Sequence, residues 1–420
     1  MKVLIVGGGG REHAIAWKLS LSPKRPELVC VPGNAGIAQV ARCVSANAED
    51  VAAVTEIARA EAPDIVVIGP EVPLAEGLTD EIESLGIPVF GPNRKCARLE
   101  ASKSFTKAFL DRHGIPTAAY REYTDAGALK SDIGIFGYPM VLKADGLAAG
   151  KGVVLAQDAA EAESAIENMM GARVFGAAGD MVVVEECLKG VEASVLCFVD
   201  GSAIVPMESA QDYKRIGDRD EGPNTGGMGT YSPSLVFTPE LEARIKDEIL
   251  TPTFEGFKKD GLDFRGVLFI GLMITGEGPK VIEFNNRFGD PEAQSVLRRL
   301  DTDLLDIFIA ATEDRLAGQE ITWSDERAVC VVMASGGYPG PYEKGKEITG
   351  LSDLDEGVVC FHAGTKRGEN GGILTAGGRV LGVTATGATH EEARAKAYEN
   401  VKKISFEGEY HRNDIGVVYR

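Results

Sequence analysis

No two cysteines of this chain are spaced as CxxC, and its five histidines fall at no metal-ligand interval. The seven cysteines (Cys30, Cys43, Cys96, Cys187, Cys197, Cys330 and Cys360) are scattered and odd in number. That excludes a zinc site of ordinary spacing and gives no disulfide framework. Most stand in apolar, strand-like runs that suit a small core residue, so a reducing, cytoplasmic setting is expected. No apolar run reaches the length of a membrane span. The opening Met1-Lys-Val-Leu-Ile-Val6 stops within five residues at glycines and charge, as a first strand does and a targeting segment does not. Positive charge is also in deficit: 44 Lys and Arg against 63 Asp and Glu leave a net charge of −19. No overall basic field draws in nucleic acid. Repeats, low-complexity tracts and disordered linkers are missing too.

What is there is an ordinary globular composition, 44% hydrophobic and 25% charged, over 420 residues. That length predicts two to four domains with sizeable cores. Residues 1 to about 100 alternate strand and helix: Val3–Val6, Glu12–Leu19, Leu28–Val31, Asp50–Glu61, Ile65–Ile68, Leu74–Leu85 and Ile87–Phe90. Such βαβ repetition predicts a parallel sheet with helices on both faces, and ligands gather beyond the carboxyl ends of its strands. Those ends are the glycine-rich Gly7–Gly10, Pro32–Gly36 and Gly69–Glu71. A second unit starts at Ala101–Lys107 with Ser102 as helix cap. It continues through strands at Tyr138–Lys143, Val153–Ala156, Met181–Glu186, Ala193–Val199, Val267–Ile274 and Lys280–Asn285, with a long loop at 206–234. From about Ala328 the chain is β-rich, with one clear helix at Glu391–Val401.

Several stretches carry chemistry. In Val281-Ile-Glu-Phe-Asn-Asn-Arg-Phe-Gly-Asp-Pro-Glu292 a strand period sets Val281, Glu283 and Asn285 on one face, opposite Ile282 and Phe284. A carboxylate and an amide oxygen so placed are half of a magnesium site, which completes itself with water and substrate phosphates. Arg287 follows in reach of an anion held there. Gly7–Gly10 lacks the third glycine of a dinucleotide fingerprint, since Glu12 stands in its place, and Pro32-Gly33-Asn34 replaces the acid. The loop is expected to hold one phosphate or another small polar group. Lys143-Ala-Asp-Gly-Leu-Ala-Ala-Gly-Lys-Gly152 is not a Walker A loop, but its amides can close over a polyphosphate. Lys143, sharing a face with Val141, needs an anionic partner there. The strand ending at Leu188 can offer its main chain to an adenine ring, and Glu192 can accept from ribose hydroxyls. In the loop Ala210–Gly229, Asp212 suits an ammonium, while Lys214 and Arg215 suit carboxylate or phosphate.

With these residues in place, the chain resembles the phosphoribosylamine–glycine ligase (glycinamide ribonucleotide synthetase) family of ATP-grasp enzymes. The likeness runs from Gly7-Gly-Gly-Gly-Arg-Glu-His13 to His411-Arg-Asn-Asp-Ile-Gly416. It is carried by Arg287-Phe-Gly-Asp-Pro-Glu292, Gln211-Asp-Tyr-Lys-Arg215 with Gly222–Gly229, and Asp145–Gly152. Tyr213 stands where the family pattern has histidine, His411 where it has tyrosine, and the strand Val267–Ile274 carries no acid.

The resemblance implies a multi-domain α/β fold: a Rossmann-like substrate-binding domain at 1–101, an ATP-grasp domain at 102–326 with a mobile lid at about 121–189, and a β-rich domain at 327–420. It implies ATP with Mg2+ or Mn2+ as cofactors. Lys103, Lys143, Gly146, Gly150, Lys151 and Gly152 would face ATP phosphates, Glu185, Glu186 and Leu188 the adenine, and Glu192 the ribose. Glu283 and Asn285 would bind the metal. Arg287, Lys143 and Asp212 are the candidate catalytic residues. Gly9, Gly10, Arg11, Glu71, Asp212, Lys214, Asn224, Thr225, Gly226, Arg287 and Asp290 are the candidate substrate contacts. Glycine and 5-phosphoribosylamine are the expected partners, with no nucleic acid or membrane, and a monomer is expected. The implied reaction passes through glycyl phosphate to glycinamide ribonucleotide, ADP and phosphate, a step of purine (IMP) biosynthesis. An ATP-dependent carboxylase component and a silent nucleotide-binding regulator are the rival readings.

Overall fold

The computed structural model describes residues 1–148 and 152–417. Its first sheet is parallel throughout, in the order Arg42–Cys43, Glu27–Pro32, Lys2–Gly7, Ile65–Ile68 and Val89–Phe90. Val3–Val6, Val29–Val31 and Ile65–Ile68 are buried run by run, because helices cover both faces of such a sheet and every second side chain has nowhere polar to point. The helix expected over Leu74–Leu85 is broken into Glu71–Ala75 and Leu78–Glu83. Gly77 stands between them at φ +86, in the left-handed region.

The helix Lys103–Arg112 begins at Ser102, whose hydroxyl accepts from the Phe105 amide at 3.1 Å. It leads into two antiparallel sheets. One holds Tyr120–Tyr123, Val182–Glu186, Met140–Ala144 and Val153–Ala156 in that order, and the other Ile204–Pro206, Val191–Val199, Gly266–Thr275 and Gly278–Asn285. These two sheets face each other across the cleft described below.

The stretch 206–234 is more ordered than a loop. Gln211–Asp212 and Gly229–Ser232 pair with each other, and Gly229–Ser232 pairs with Arg327–Ala334. They share one sheet with Arg379–Gly387 and Val359–His362, against which the helix His390–Val401 packs. One apolar cluster runs from Val3, Ile5 and Leu19 through Phe90 to Phe269, Val296 and Phe308. It joins the first sheet to the one that holds Gly266–Thr275. Among the described residues no disulfide forms, and no helix is long and apolar enough to cross a membrane.

Candidate active site

Regular alternation along Gly278–Asn285 would put Val281 beside Glu283, and the structure does not. Gly271 pairs with Glu283 while the next residue, Leu272, pairs with Val281, so Ile282 is extra and the strand bulges. Val281 and Phe284 both enter the core. Glu283 and Asn285 turn to the cleft, where the Asn285 amide donates to Glu283 Oε1 at 3.3 Å. The bulge also frees the Ile282 carbonyl, which accepts from Lys143 Nζ at 3.1 Å.

Lys103, Lys143, Glu185, Glu283 and Asn285 line one cleft between the two antiparallel sheets, together with Glu100 and Lys107. Lys143 finds its anion within the chain: Glu185 Oε1 lies 2.8 Å from its ammonium, and Lys107 lies 3.1 Å from Oε2. Lys103 Nζ donates to the Gly146 carbonyl at 2.9 Å. Asp145 accepts from the Ser104 amide at 3.1 Å and the Ser104 hydroxyl at 2.9 Å. The start of the glycine-rich segment is thus tied to the helix that carries Lys103, while the Gly152 carbonyl accepts from the Ala144 amide at 2.9 Å. Gly150 and Lys151 lie outside the described residues. Burial would raise the Glu283 carboxyl, but Lys214, Lys143 and Lys103 more than offset it and hold the pKa below the usual value. An ionised carboxylate and an amide on one face, among cations, fit a hard divalent ion that takes its other ligands from phosphate and water. Among the described residues no three His, Cys, Asp or Glu converge as a complete cage.

The sheet face that carries Lys143 has an apolar strip. Val153 pairs with Lys143, and Leu155 and Glu185 pair with Val141, so these side chains share one side. Val153 and Leu155 are 38% and 40% exposed, large aliphatic side chains left open beside the cleft. Glu186 Oε1 accepts from the Ala119 amide at 2.9 Å, and Leu188 follows the strand's end.

A second cluster adjoins the first. Lys214 Nζ is 3.0 Å from Glu192 Oε2. Burial pulls the Lys214 pKa down, yet Glu192, Glu283 and Asp212 together raise it above its usual value. Asp212 is pushed well up, by burial first and then by Glu292, and its Oδ1 is buried without a hydrogen-bond partner. Thr225 donates through its amide (2.7 Å) and hydroxyl (2.9 Å) to the Lys214 carbonyl, folding Asn224–Gly226 back over it. Arg379 Nη1 donates to the Gly226 carbonyl at 2.5 Å. Arg287 is 3.1 Å from Glu100 Oε1 and 3.6 Å from Glu71 Oε2.

At the first sheet the three glycine loops touch. Asn34 Nδ2 donates to the Gly8 carbonyl at 2.9 Å. Glu12 fills the place of a third fingerprint glycine: Oε2 accepts from the Gly9 amide at 2.6 Å and Oε1 lies 2.5 Å from Arg11 Nε. Asp290 accepts from the Arg11 main chain and from Gln294 Nε2, the latter at 2.8 Å. Burial would raise the Asp290 pKa, but Arg379 and Arg11 draw it below normal. Two donors of the loop thus already meet carboxylates. With Glu71 nearby, the rim around Gly9 and Gly10 suits hydroxyl and amine groups better than a phosphate.

Sequence reasoning missed Glu100, Lys107, Glu292 and Arg379. Lys107 had a signal, being one helical turn from Lys103 on the same face. Arg379 had none, since its partners are about 90 to 150 residues away in sequence.

Three family models for phosphoribosylglycinamide synthetase match in order: the N domain over residues 1–100, the ATP-grasp (A) domain over 101–293 and the C domain over 328–418. The chain belongs to the phosphoribosylglycinamide synthetase family. It is 51% identical over 416 residues to a phosphoribosylamine–glycine ligase of Rhizobium meliloti (strain 1021), covering 99% of this chain and 98% of that one. It is 48% identical, over the full length of both, to the enzyme of that name from Caldanaerobacter subterraneus subsp. tengcongensis. The crystal structure of a phosphoribosylamine–glycine ligase from Thermotoga maritima superposes with a TM-score of 0.87 at 35% identity, covering 99% of this chain and 100% of that one. Biotin carboxylase from Campylobacter jejuni, at 14% identity and a TM-score of 0.76 over 98% of this chain and 92% of that one, shares the fold. The phosphoribosylglycinamide synthetase family thus accounts for all three parts of the chain in their order.

Proposed function

We infer that the protein joins glycine to 5-phosphoribosylamine at the expense of ATP, giving glycinamide ribonucleotide, ADP and phosphate in purine biosynthesis. The observation that carries this reading is the convergence of Lys103, Lys143, Glu283 and Asn285 on one cleft, in a chain of this family. Lys103 and Lys143 face the ATP phosphates, with Gly146 and Gly152 at the ends of the segment that would cover them. The adenine lies on Val153 and Leu155, against the main chain from Glu185 to Leu188, and the ribose reaches Glu192. Glu283 and Asn285 would hold a divalent ion, magnesium by its preference for oxygen ligands, and that ion supplies charge neutralisation on the phosphates.

Glycine lies between the two clusters. Asp212, whose Oδ1 is buried and unpartnered, takes its ammonium, and Lys214 and Arg287 face its carboxylate. Phosphoribosylamine meets Gly9, Gly10, Arg11, Glu71 and Asp290, whose carboxylates accept from its hydroxyls. A carboxylate oxygen of glycine attacks the γ-phosphorus and ADP leaves. The amine then attacks the acyl carbon, and phosphate leaves with that oxygen. This chemistry asks for positioning and charge neutralisation rather than a covalent nucleophile.

The test is glycine labelled with oxygen-18 in its carboxylate. One labelled oxygen is expected in inorganic phosphate for each product formed. Label in AMP would mean adenylation, and unlabelled phosphate with ADP as product would exclude glycyl phosphate.

A further inference from the structure

Lys107 lines the cleft but is almost wholly buried, and protein groups surround its ammonium. Its ammonium donates to Thr117 Oγ1 at 2.8 Å and to the Ala118 carbonyl at 3.4 Å, and lies 3.1 Å from Glu185 Oε2. The ring of Tyr120 is 5.4 Å away. Thr117 in turn donates to the Val281 carbonyl at 2.7 Å, so Lys107 is anchored to the strand Gly278–Asn285 just before the bulge. Glu185 belongs to the other sheet, as does Lys143, which reaches back to the Ile282 carbonyl. Two lysines from opposite sides of the cleft therefore share one carboxylate, with side chains only 3% and 7% exposed.

We propose that Lys107 is a positioning residue for Lys143: by claiming half of the Glu185 carboxylate, it keeps the Lys143 ammonium available to the nucleotide phosphates. Two cations share this one anion, so Glu185 cannot neutralise both. Remove Lys107, and Glu185 neutralises Lys143 completely and holds it in a short, desolvated ion pair. The glutamate that gives Lys143 its place on an apolar strand would then compete with the ligand for it. Lys143 already reaches past Glu185 to the Ile282 carbonyl at 3.1 Å, so the carboxylate does not hold its ammonium exclusively.

The inference rests on the nucleotide reading of the cleft, and the two fail separately. Isothermal titration of the full chain with the β,γ-imido analogue of ATP plus magnesium, and with adenosine, reads both. Absence of analogue binding by the wild type overturns the nucleotide reading and this inference with it. Given wild-type binding, Lys107→Met is expected to weaken the analogue about tenfold, the effect of one unit charge about 12 Å from the phosphates at an effective dielectric constant of about 20. Adenosine, which carries no phosphate, should stay within about twofold, and a general loss of structure would not spare it. In Lys107→Met with Glu185→Gln the competing anion is gone, and most of the lost analogue affinity should return. Equal analogue affinity in wild type and Lys107→Met, an equal loss for adenosine, or no recovery in the double variant each overturns the proposal. Where Lys107→Met alone fails to fold, the double variant removes a buried cation and anion together and carries the test. Analogue affinity within about threefold of wild type supports the proposal, and a larger loss overturns it.

Discussion

Arg379 and Asp290 meet twice: Nη1 donates to the Asp290 carbonyl at 2.6 Å, and Nη2 lies 3.4 Å from Oδ1. Because the same Nη1 also reaches the Gly226 carbonyl, one guanidinium from the last sheet sets both the Asn224–Gly226 turn and the Asp290 carboxylate. Lysine in its place keeps the charge but cannot span these acceptors with a rigid fork. Arg379→Lys should therefore lower kcat/KM for glycine and phosphoribosylamine by about tenfold or more, the scale of one charge-assisted hydrogen bond. Affinity for the imido analogue of ATP should not change. Steady-state kinetics with each substrate varied, beside nucleotide titration, checks the split, and an equal loss for all three ligands would contradict it.

Glu283→Gln preserves size and hydrogen bonding and removes the charge that Lys214, Lys143 and Lys103 hold ionised. Turnover should drop at least ~100-fold, on the scale of losing a well-placed electrostatic stabiliser. The loss should be deepest at limiting magnesium and partly recovered in excess. Rates that match the wild type when magnesium is limiting would remove the metal role from this strand.

Where the first sheet meets the last, His362 donates its amide to His13 Nδ1 at 2.7 Å. Burial, with each ring's charged neighbours, lowers His13 from 6.5 to about 3 and His362 from 6.5 to about 4. The sign follows from proton counting. Above pH 6.5 both rings are neutral folded or unfolded, and nothing is lost. As pH falls below 6.5 the unfolded chain takes up protons that the folded chain refuses, until about pH 3 to 4. At pH 5 each histidine should cost about 2 kcal/mol of stability. Thermal midpoints from pH 7.5 to 5 should fall less steeply in His13→Asn, which keeps an acceptor for His362. Parallel curves would assign the acid sensitivity elsewhere.

Much of this was legible in the sequence wherever a local rule decided it. Consecutive β-branched residues such as Ile65-Val-Val-Ile68 could only be a strand buried on both faces, and Ser102 could cap a helix without help from afar. Glu283 and Asn285, two apart on a strand, read correctly as neighbours. Val281 did not, because a bulge exists only relative to the partner strand, and nothing in Val281-Ile-Glu discloses that Gly271 and Leu272 straddle the extra residue. Gln211–Asp212 and Gly229–Ser232 were invisible as strands for a similar reason. They are two and four residues long, and their order comes from Arg327–Ala334 far along the chain. The occupied donors at Gly9 and Arg11 were equally hidden, since one carboxylate comes from Asp290.

Gly69→Ala tests the junction of the glycine loops. A Cβ at Gly69 would lie 2.0 Å from Glu12 Oε1 and 2.7 Å from its Cγ, and the buried Glu12 has no room to retreat. Moving it would release the Gly9 amide and Arg11 together. The variant should lose roughly 1–3 kcal/mol of stability, as for one overpacked methyl group, and its KM for phosphoribosylamine should rise while KM for ATP stays put. Chemical denaturation and initial rates measure the two effects, and a variant indistinguishable from wild type would show that Glu12 does not shape this rim.

The sheet that takes Gly229–Ser232 from the middle of the chain and Arg327–Ala334 from its last third has a consequence for how the molecule can be divided. A gene cut after residue 326 separates partners rather than domains: the first fragment keeps an edge strand with its main-chain groups bare, and the second loses the neighbour that covers its own. Neither piece should be stable or soluble alone, and the two should regain activity only when made together, as halves of one interlocked body.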